Sequence, residues 1–160
     1  MYQRILVPID GSPTSDKGLD EAIKLSKLTG ASLRLIHVLD PLTFATGFEP
    51  YAVYAGDLIP RMEEVGNQVL QQGKERAQAA GVKADSLLFD SLAARVSETV
   101  IQQAKDWGAD LIVIGTHGRR GVGRFVMGSD AEQIVRLAPV PVLLVRAPEA
   151  KAQTDTAVKV

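Results

Sequence analysis

Between Gly115 and Ser129 the chain reads GTHGRRGVGRFVMGS, with five glycines and three arginines in fifteen positions. An apolar run, DLIVIG, precedes the stretch, and a segment with helical character, DAEQIVRLA, follows it. Glycine lets a backbone approach a ligand without a Cβ in the way, and the exposed N–H groups at the start of a helix attract anions. The stretch therefore has the composition of a phosphate cradle, and equally that of a solvated loop. Spacing excludes two familiar cradles. A P-loop needs Gly-Lys-Ser/Thr entering the helix, and that tripeptide occurs nowhere in the chain. The dinucleotide fingerprint needs glycines at its first, third and sixth positions; Gly121 and Gly123 supply two, but position 126 is valine. What remains is the spacing Gly115-x2-Gly118-x9-Gly128-Ser129.

The other chemically able residues each carry two readings. Ser129 and Glu132 have the spacing of a capping box, so Ser129 is expected to cap its helix, a role compatible with touching a phosphate. Asp130 in the first turn suits the helix dipole but repels a phosphate, unless it helps to hold a divalent cation. Arg119, Arg120 and Arg124 are solvated or clamp phosphates, with Arg124 the best placed to clamp. Asp10, after the first apolar run, is an Asx-turn acceptor or a contact for ribose or metal. His37 reads as a packing residue at a strand end, and His117 as a contributor of backbone more than imidazole. With two histidines, no cysteine and no base clearly paired with a serine, no catalytic constellation is evident.

Short apolar runs alternating with helical patterns must position these groups. RILVPI (4–9), SLRLIHVL (32–39), ADSLLFD (84–90), DLIVIG (110–115) and VPVLLVR (140–146) read as strands. Ser12 as N-cap and Pro13 at the first helical position open a helix that ends at Gly30, with Leu19, Ala22, Ile23 and Ser26 on one face. A second helix runs from about Leu58 to Ala80 and stops at Gly81. A third runs from about Ala93 to Trp107, with Val96, Val100, Ile101 and Ala104 inward and Gly108 as its stop, and a fourth reaches about Leu137. Residues 40–57 show aromatics, prolines and glycines without a period and read as a long loop or lid. Strands apolar on both faces and joined by helices imply a parallel sheet covered on each side, a doubly wound α/β domain. Ligands bind such sheets beyond the strand carboxyl ends, where strand order reverses. Asp10 and Gly115 flank one crevice if the first and fourth strands are neighbours.

Bulk properties bound the function classes. A chain of 160 residues fits one domain with a proper core. A net charge of −1, with acids and bases interspersed, gives no pull toward nucleic acid or anionic membrane. Without cysteine, any metal needs oxygen or imidazole ligands. No apolar segment approaches the ~20 residues that span a bilayer, and the N-terminus lacks the pattern of a signal peptide. The expectation is a soluble, cytoplasmic domain over residues 1–147, followed by a small, polar, disordered tail at 148–160.

The glycine spacing is that of the nucleotide-binding signature of the universal stress protein family, which the chain resembles over residues 2–146. The resemblance is carried by ILVPIDGS, by HVLD ending the second strand, by ADLIVIGTHG, and by GSDAEQIVRLAPVPVLLVR; it is weakest over residues 40–57. It implies a five-stranded, flavodoxin- or Rossmann-like sheet of strand order 3-2-1-4-5 that binds ATP, or ADP or AMP; the metal reading of Asp10 adds Mg²⁺, with Asp10 as its candidate ligand. Matched by position, Pro8, Ile9 and Asp10 lie near adenine and ribose, and Val38 offers its backbone to the adenine edge. Ile114, Gly115, Thr116, His117 and Gly118 wrap the ribose and first phosphate; Gly128, Ser129, Asp130 and Ala131, with Arg124, receive the outer phosphates. The family typically has a small apolar residue where this chain has Asp130. It also forms dimers through the last strand, here bounded by Val140 and Val145, where an unpaired apolar edge would favour aggregation. The resulting expectation is a nucleotide-dependent stress-response sensor acting on an unidentified protein partner. A weak ATPase or phosphotransferase, and a nucleotide-free dimeric interaction module, stand as alternatives.

Overall fold

The computed structural model describes residues 1–40, 58–90, 94–116 and 127–146. The expectations for the loop at 41–57 and for the tail from 148 onward fall outside those residues, as do those for His117, Gly118, Arg119, Arg120 and Arg124. In chain order the elements are β1 (Arg4–Pro8), α1 (Pro13–Thr29), β2 (Ser32–Leu39), α2 (Leu58–Ala79), β3 (Ala84–Asp90), α3 (Val96–Trp107), β4 (Leu111–Gly115), α4 (Ser129–Leu137) and β5 (Val142–Val145). The strands form one sheet of order β3-β2-β1-β4-β5, parallel throughout. This is the doubly wound order expected, with the reversal falling between β1 and β4. No helix among the described residues is long and apolar enough to cross a membrane.

Alternation along the central strands builds a core on each face of the sheet. Ile5, Val7, Leu33, Leu35, Leu111 and Val113 pack with Leu19, Ala22 and Ile23 of α1 and Leu70 and Ala77 of α2. Leu6, Ile36, Ile112 and Ile114 pack on the other face with Val100 and Ala104 of α3 and Ala131 and Ile134 of α4. Burying each such aliphatic side chain contributes roughly 1.5–3 kcal/mol, so these two layers dominate the stability of the domain.

Local chemistry sets the element ends. Ser12 accepts the Ser15 N–H at 3.2 Å, with Pro13 opening α1. Gly30, Gly81 and Gly108 follow α1, α2 and α3 with positive φ of 76°, 76° and 65°. Several boundaries differ from the sequence reading. β1 stops at Pro8 rather than Ile9. β5 begins at Val142, after Pro141, which has no N–H to give to a ladder. α3 begins at Val96, because Arg95 is extended and its N–H donates to the Glu98 carboxylate at 3.3 Å. Its inward face also includes Ser97, which the apolar pattern did not register; Ser97 is buried, whereas Val96 and Ile101 are only partly so.

At the amino ends of the strands, Arg34 of β2 grips Asp85 of β3 with two nitrogens, at 2.9 and 2.6 Å. Its guanidinium also lies 4.6 Å from the ring centroid of Trp107. The hydrogen bond to Asp85 raises the Arg34 pKa above its already high ordinary value.

At the opposite edge α1 presses on β4 with no side chain between them. A Cβ on Gly18 would stand 3.3 Å from Gly115 N, and one on Gly115 would stand 2.8 Å from both C and O of Thr14. Those neighbours are backbone and have little room to yield. Gly115→Ala is therefore expected to cost about 1–3 kcal/mol, measured by urea unfolding without added nucleotide. Unchanged stability would show that α1 does not sit this tightly on β4.

Candidate functional site

The turn from β1 into α1 is built from its own polar groups. Ile9 N–H donates to Ile36 O at 2.8 Å. Asp10 N–H then donates to Ser15 Oγ at 3.1 Å, and Ser12 N–H donates to Asp10 Oδ1 at 2.9 Å. Asp10 is thus the Asx-turn acceptor that one of its two readings anticipated. The chain reverses through Gly11, whose φ of 77° is costly for any residue with a Cβ. Gly11 and Ser15 support Asp10 and were not singled out from sequence; the signal was Asp-Gly-Ser directly after an apolar strand.

Across the reversal point, the chain leaves β4 at Gly115 and returns at α4. Thr116, which is buried, donates its N–H to Val145 O at 2.9 Å and accepts the Gly128 N–H at 2.9 Å. That second bond closes the neck of the glycine loop and fixes where α4 begins. It also corrects the expected cap. Gly128, extended at φ −59° and ψ 146°, occupies the N-cap position, and Ser129 is the first helical residue. Glu132 N–H donates to Gly128 O at 2.9 Å, so the helix starts one residue too early for Ser129 to cap it. The Ser129 side chain is left exposed at the mouth of the helix. The N–H groups of Ser129, Asp130 and Ala131 precede the first intrahelical bond and gain no partner from the helix ladder.

Asp130 does not face that mouth alone. Its Oδ1 accepts the Ser97 N–H, in the first turn of α3, at 3.3 Å. Its charge thus meets the positive ends of two helices. No cation pairs with it among the described residues, nor does any group of three or more carboxylate or imidazole side chains gather there to hold a metal ion.

His37 lies on the other side of the crevice. It is buried, with Nδ1 2.8 Å from Ile9 O, and it packs against Gly66 of α2, where a Cβ would stand 2.8 Å from His37 Cδ2. The strand-end packing role read from sequence holds, with the addition of a specific bond to the β1 turn. Pro8, Ile9, Asp10, Val38, Ile114, Gly115 and Thr116 all lie at the carboxyl edge around the β1–β4 reversal, and Gly128 is bonded to that edge with Ser129, Asp130 and Ala131 following it.

Comparison with known proteins agrees with this architecture. Residues 1–146 match the model of the universal stress protein family. A putative universal stress protein of Staphylococcus epidermidis is 37% identical over 150 residues, covering 92% of this chain and 86% of its own. Universal stress protein YxiE of Bacillus subtilis is 31% identical, covering 91% and 100%. Among solved structures, a universal stress protein family member from Burkholderia pseudomallei superposes with a TM-score of 0.69 at 31% identity, covering 91% of this chain and 97% of its own. Two more distant structures share the fold. One, from Archaeoglobus fulgidus, is in complex with dAMP (TM-score 0.64, 19% identity, covering 90% and 98%). The other is a universal stress protein in complex with cAMP (TM-score 0.63, 22% identity, covering 92% and 98%).

Asp130 gives a direct test of the α3–α4 junction. Asp130→Ala is expected to destabilise the domain by about 0.5–2 kcal/mol through loss of an acceptor at the α3 N-terminus. Asp130→Asn, which keeps an acceptor but no charge, should cost less, and raising the salt concentration should narrow the difference. Urea titrations of the three proteins at low and high salt measure this; equal stabilities would remove the proposed cap.

Proposed function

The chain belongs to the universal stress protein family, and from that premise we propose that it binds an adenine nucleotide at the β1–β4 crevice and serves as a nucleotide-dependent stress-response sensor or regulator. One observation carries the reading. The Gly128–Thr116 bond holds the open first turn of α4 at the carboxyl edge of β4, at the point of strand reversal. That position combines a helix N-terminus, which favours anions, with the crevice where doubly wound sheets take ligands. The dAMP and cAMP complexes of two proteins of the same fold support the choice of an adenine nucleotide.

In this reading Pro8, Ile9 and Asp10 line the nucleoside end, and the Val38 backbone meets the edge of the base. Ile114, Gly115 and Thr116, with His117 and Gly118, wrap the ribose and first phosphate. Ser129, Asp130 and Ala131 supply N–H groups to further phosphate oxygens, Gly128 orients them, and Arg124 adds a cation. Because Gly128 N–H is engaged with Thr116 O, its contribution is to hold the helix start. In this reading the ligand is ATP, with Mg²⁺ beside Asp10 offsetting phosphate charge, and the cytoplasm is where the chain would meet it. Binding is here coupled to a partner protein rather than to rapid turnover.

The edge strand β5 suits a homodimer. It is the outermost strand on its side of the sheet, and Leu143 and Leu144 are each more than one-third exposed, at 37% and 36%. Val135 and Leu137, from the preceding helix, are exposed too. An apolar edge of this kind is protected when a second copy pairs with it.

The test begins with protein purified from cells, denatured, and its supernatant assayed for adenine nucleotides by chromatography. A near-stoichiometric yield is expected, with Asp10→Ala binding added ATP about 10-fold more weakly. No nucleotide released, together with no thermal shift on adding ATP, ADP or AMP, would leave the chain as a nucleotide-free interaction module.

A further inference from the structure

β1 and β2 are registered with Pro8 opposite Ile36. Ile9 carries the ladder one bond further by donating its N–H to Ile36 O. Along a strand, the main-chain groups of alternate residues face the same neighbour. Val38, two residues past Ile36, therefore turns its N–H and C=O toward the β1 side, and the next rung would run from Val38 N–H to Ile9 O. No such backbone bond is made. The Ile9 oxygen instead meets His37 Nδ1 at 2.8 Å. Since a carbonyl only accepts, the proton of the ring lies on Nδ1.

We propose that His37 is a positioning residue. Its imidazole takes the Ile9 carbonyl in place of Val38, ends the β1–β2 ladder one rung early, and keeps the Val38 main chain turned to the crevice for the edge of a purine base. For its ligand the inference rests on the nucleotide reading above; for its geometry it does not. The ring is held from the far side as well. A Cβ at Gly66 would stand 2.8 Å from His37 Cδ2 and 3.3 Å from Nε2, so α2 keeps the imidazole against Ile9 only because residue 66 has no side chain. The arrangement needs a donor on the ring atom nearest the backbone and a rigid side chain that reaches no further. Histidine at a strand end meets both needs.

The test compares the full chain with His37→Leu and His37→Asn, which match each other in size and differ in the donor. Asparagine can place an N–H close to the position of Nδ1; leucine cannot. Amide exchange is followed at Val38 with and without AMP, and affinities for adenosine and AMP are measured by calorimetry. In wild-type protein the Val38 amide should exchange quickly and become protected when AMP is added. In His37→Leu the abandoned rung should close, so Val38 becomes protected without ligand, and adenosine and AMP should both bind about 10-fold more weakly. His37→Asn should behave as wild type in both respects. A residue that only filled space would give the opposite sign, because its loss loosens the edge and speeds exchange. Val38 exchange in His37→Leu as fast as wild type or faster, or His37→Asn indistinguishable from His37→Leu, overturns the proposal. Should the leucine variant fail to fold, Gly66→Ala displaces the ring from the other side and is read by the same Val38 signal. A wild-type chain that binds neither adenosine nor AMP sinks the nucleotide reading, while Val38 exchange in the ligand-free proteins still decides the role of His37.

Discussion

The reversal of strand order at β1 is the constraint on which the carboxyl edge of this molecule depends. β1 is buried on both faces and paired on both sides, with β2 and β4. Chains leaving its two sides diverge, α1 and α2 to one face of the sheet and α3 and α4 to the other. A crevice must open where they part. The polar groups of the candidate site gather around that opening because the topology leaves main-chain groups there without a neighbouring strand. The short bonds of the Asp10 turn, the Thr116 neck and the His37–Ile9 pair are ways of ordering backbone that the sheet no longer orders.

Glycine serves that edge for more than one reason, and the reasons separate by residue. Gly115 is required by packing, since a Cβ there would strike the Thr14 backbone at 2.8 Å whether or not a ligand binds. Gly11 is required by its φ of 77°. Gly128 has a φ of −59°, open to any residue, so its backbone conformation alone does not demand glycine. A motif of glycines read as one phosphate device is thus a composite. Part of it lets helix α1 reach the sheet whether or not a ligand binds.

The legible portion of the fold was what local pattern decides. β2 and β3 occupy residues 32–39 and 84–90 as expected, and Gly30, Gly81 and Gly108 end their helices. The inward face of α1 was readable because Leu19, Ala22, Ile23 and Ser26 repeat at the helical period. What local pattern misjudged depends on residues far apart in the chain. Ser129 has capping-box spacing, yet the start of α4 is set by a bond from Gly128 to Thr116, twelve positions away. Asp130 looked unsuited to a phosphate site, because Ser97, its partner, is thirty-three positions distant. The location of the candidate site at the strand ends was legible from topology. The hydrogen bonds that shape it were not, since His37 and Ile9 declare their partnership only once two strands are side by side.

Asp130 shows how such a distant partner changes the meaning of a charge. α3 and α4 pack on the same face of the sheet, and their first turns meet through the Asp130–Ser97 bond. Each helix N-terminus carries the equivalent of roughly half a positive charge, so two of them in contact repel. A carboxylate between them offsets both. Its negative charge therefore does not simply add to the field at the mouth of α4, because the α3 terminus, with its Ser97 N–H, already engages it. A small apolar residue at position 130 would leave more positive potential for a phosphate but less cohesion between the helices. Asp130 thus gives a fixed junction, and the N–H groups of Ser129, Asp130 and Ala131 keep their direction because that junction holds.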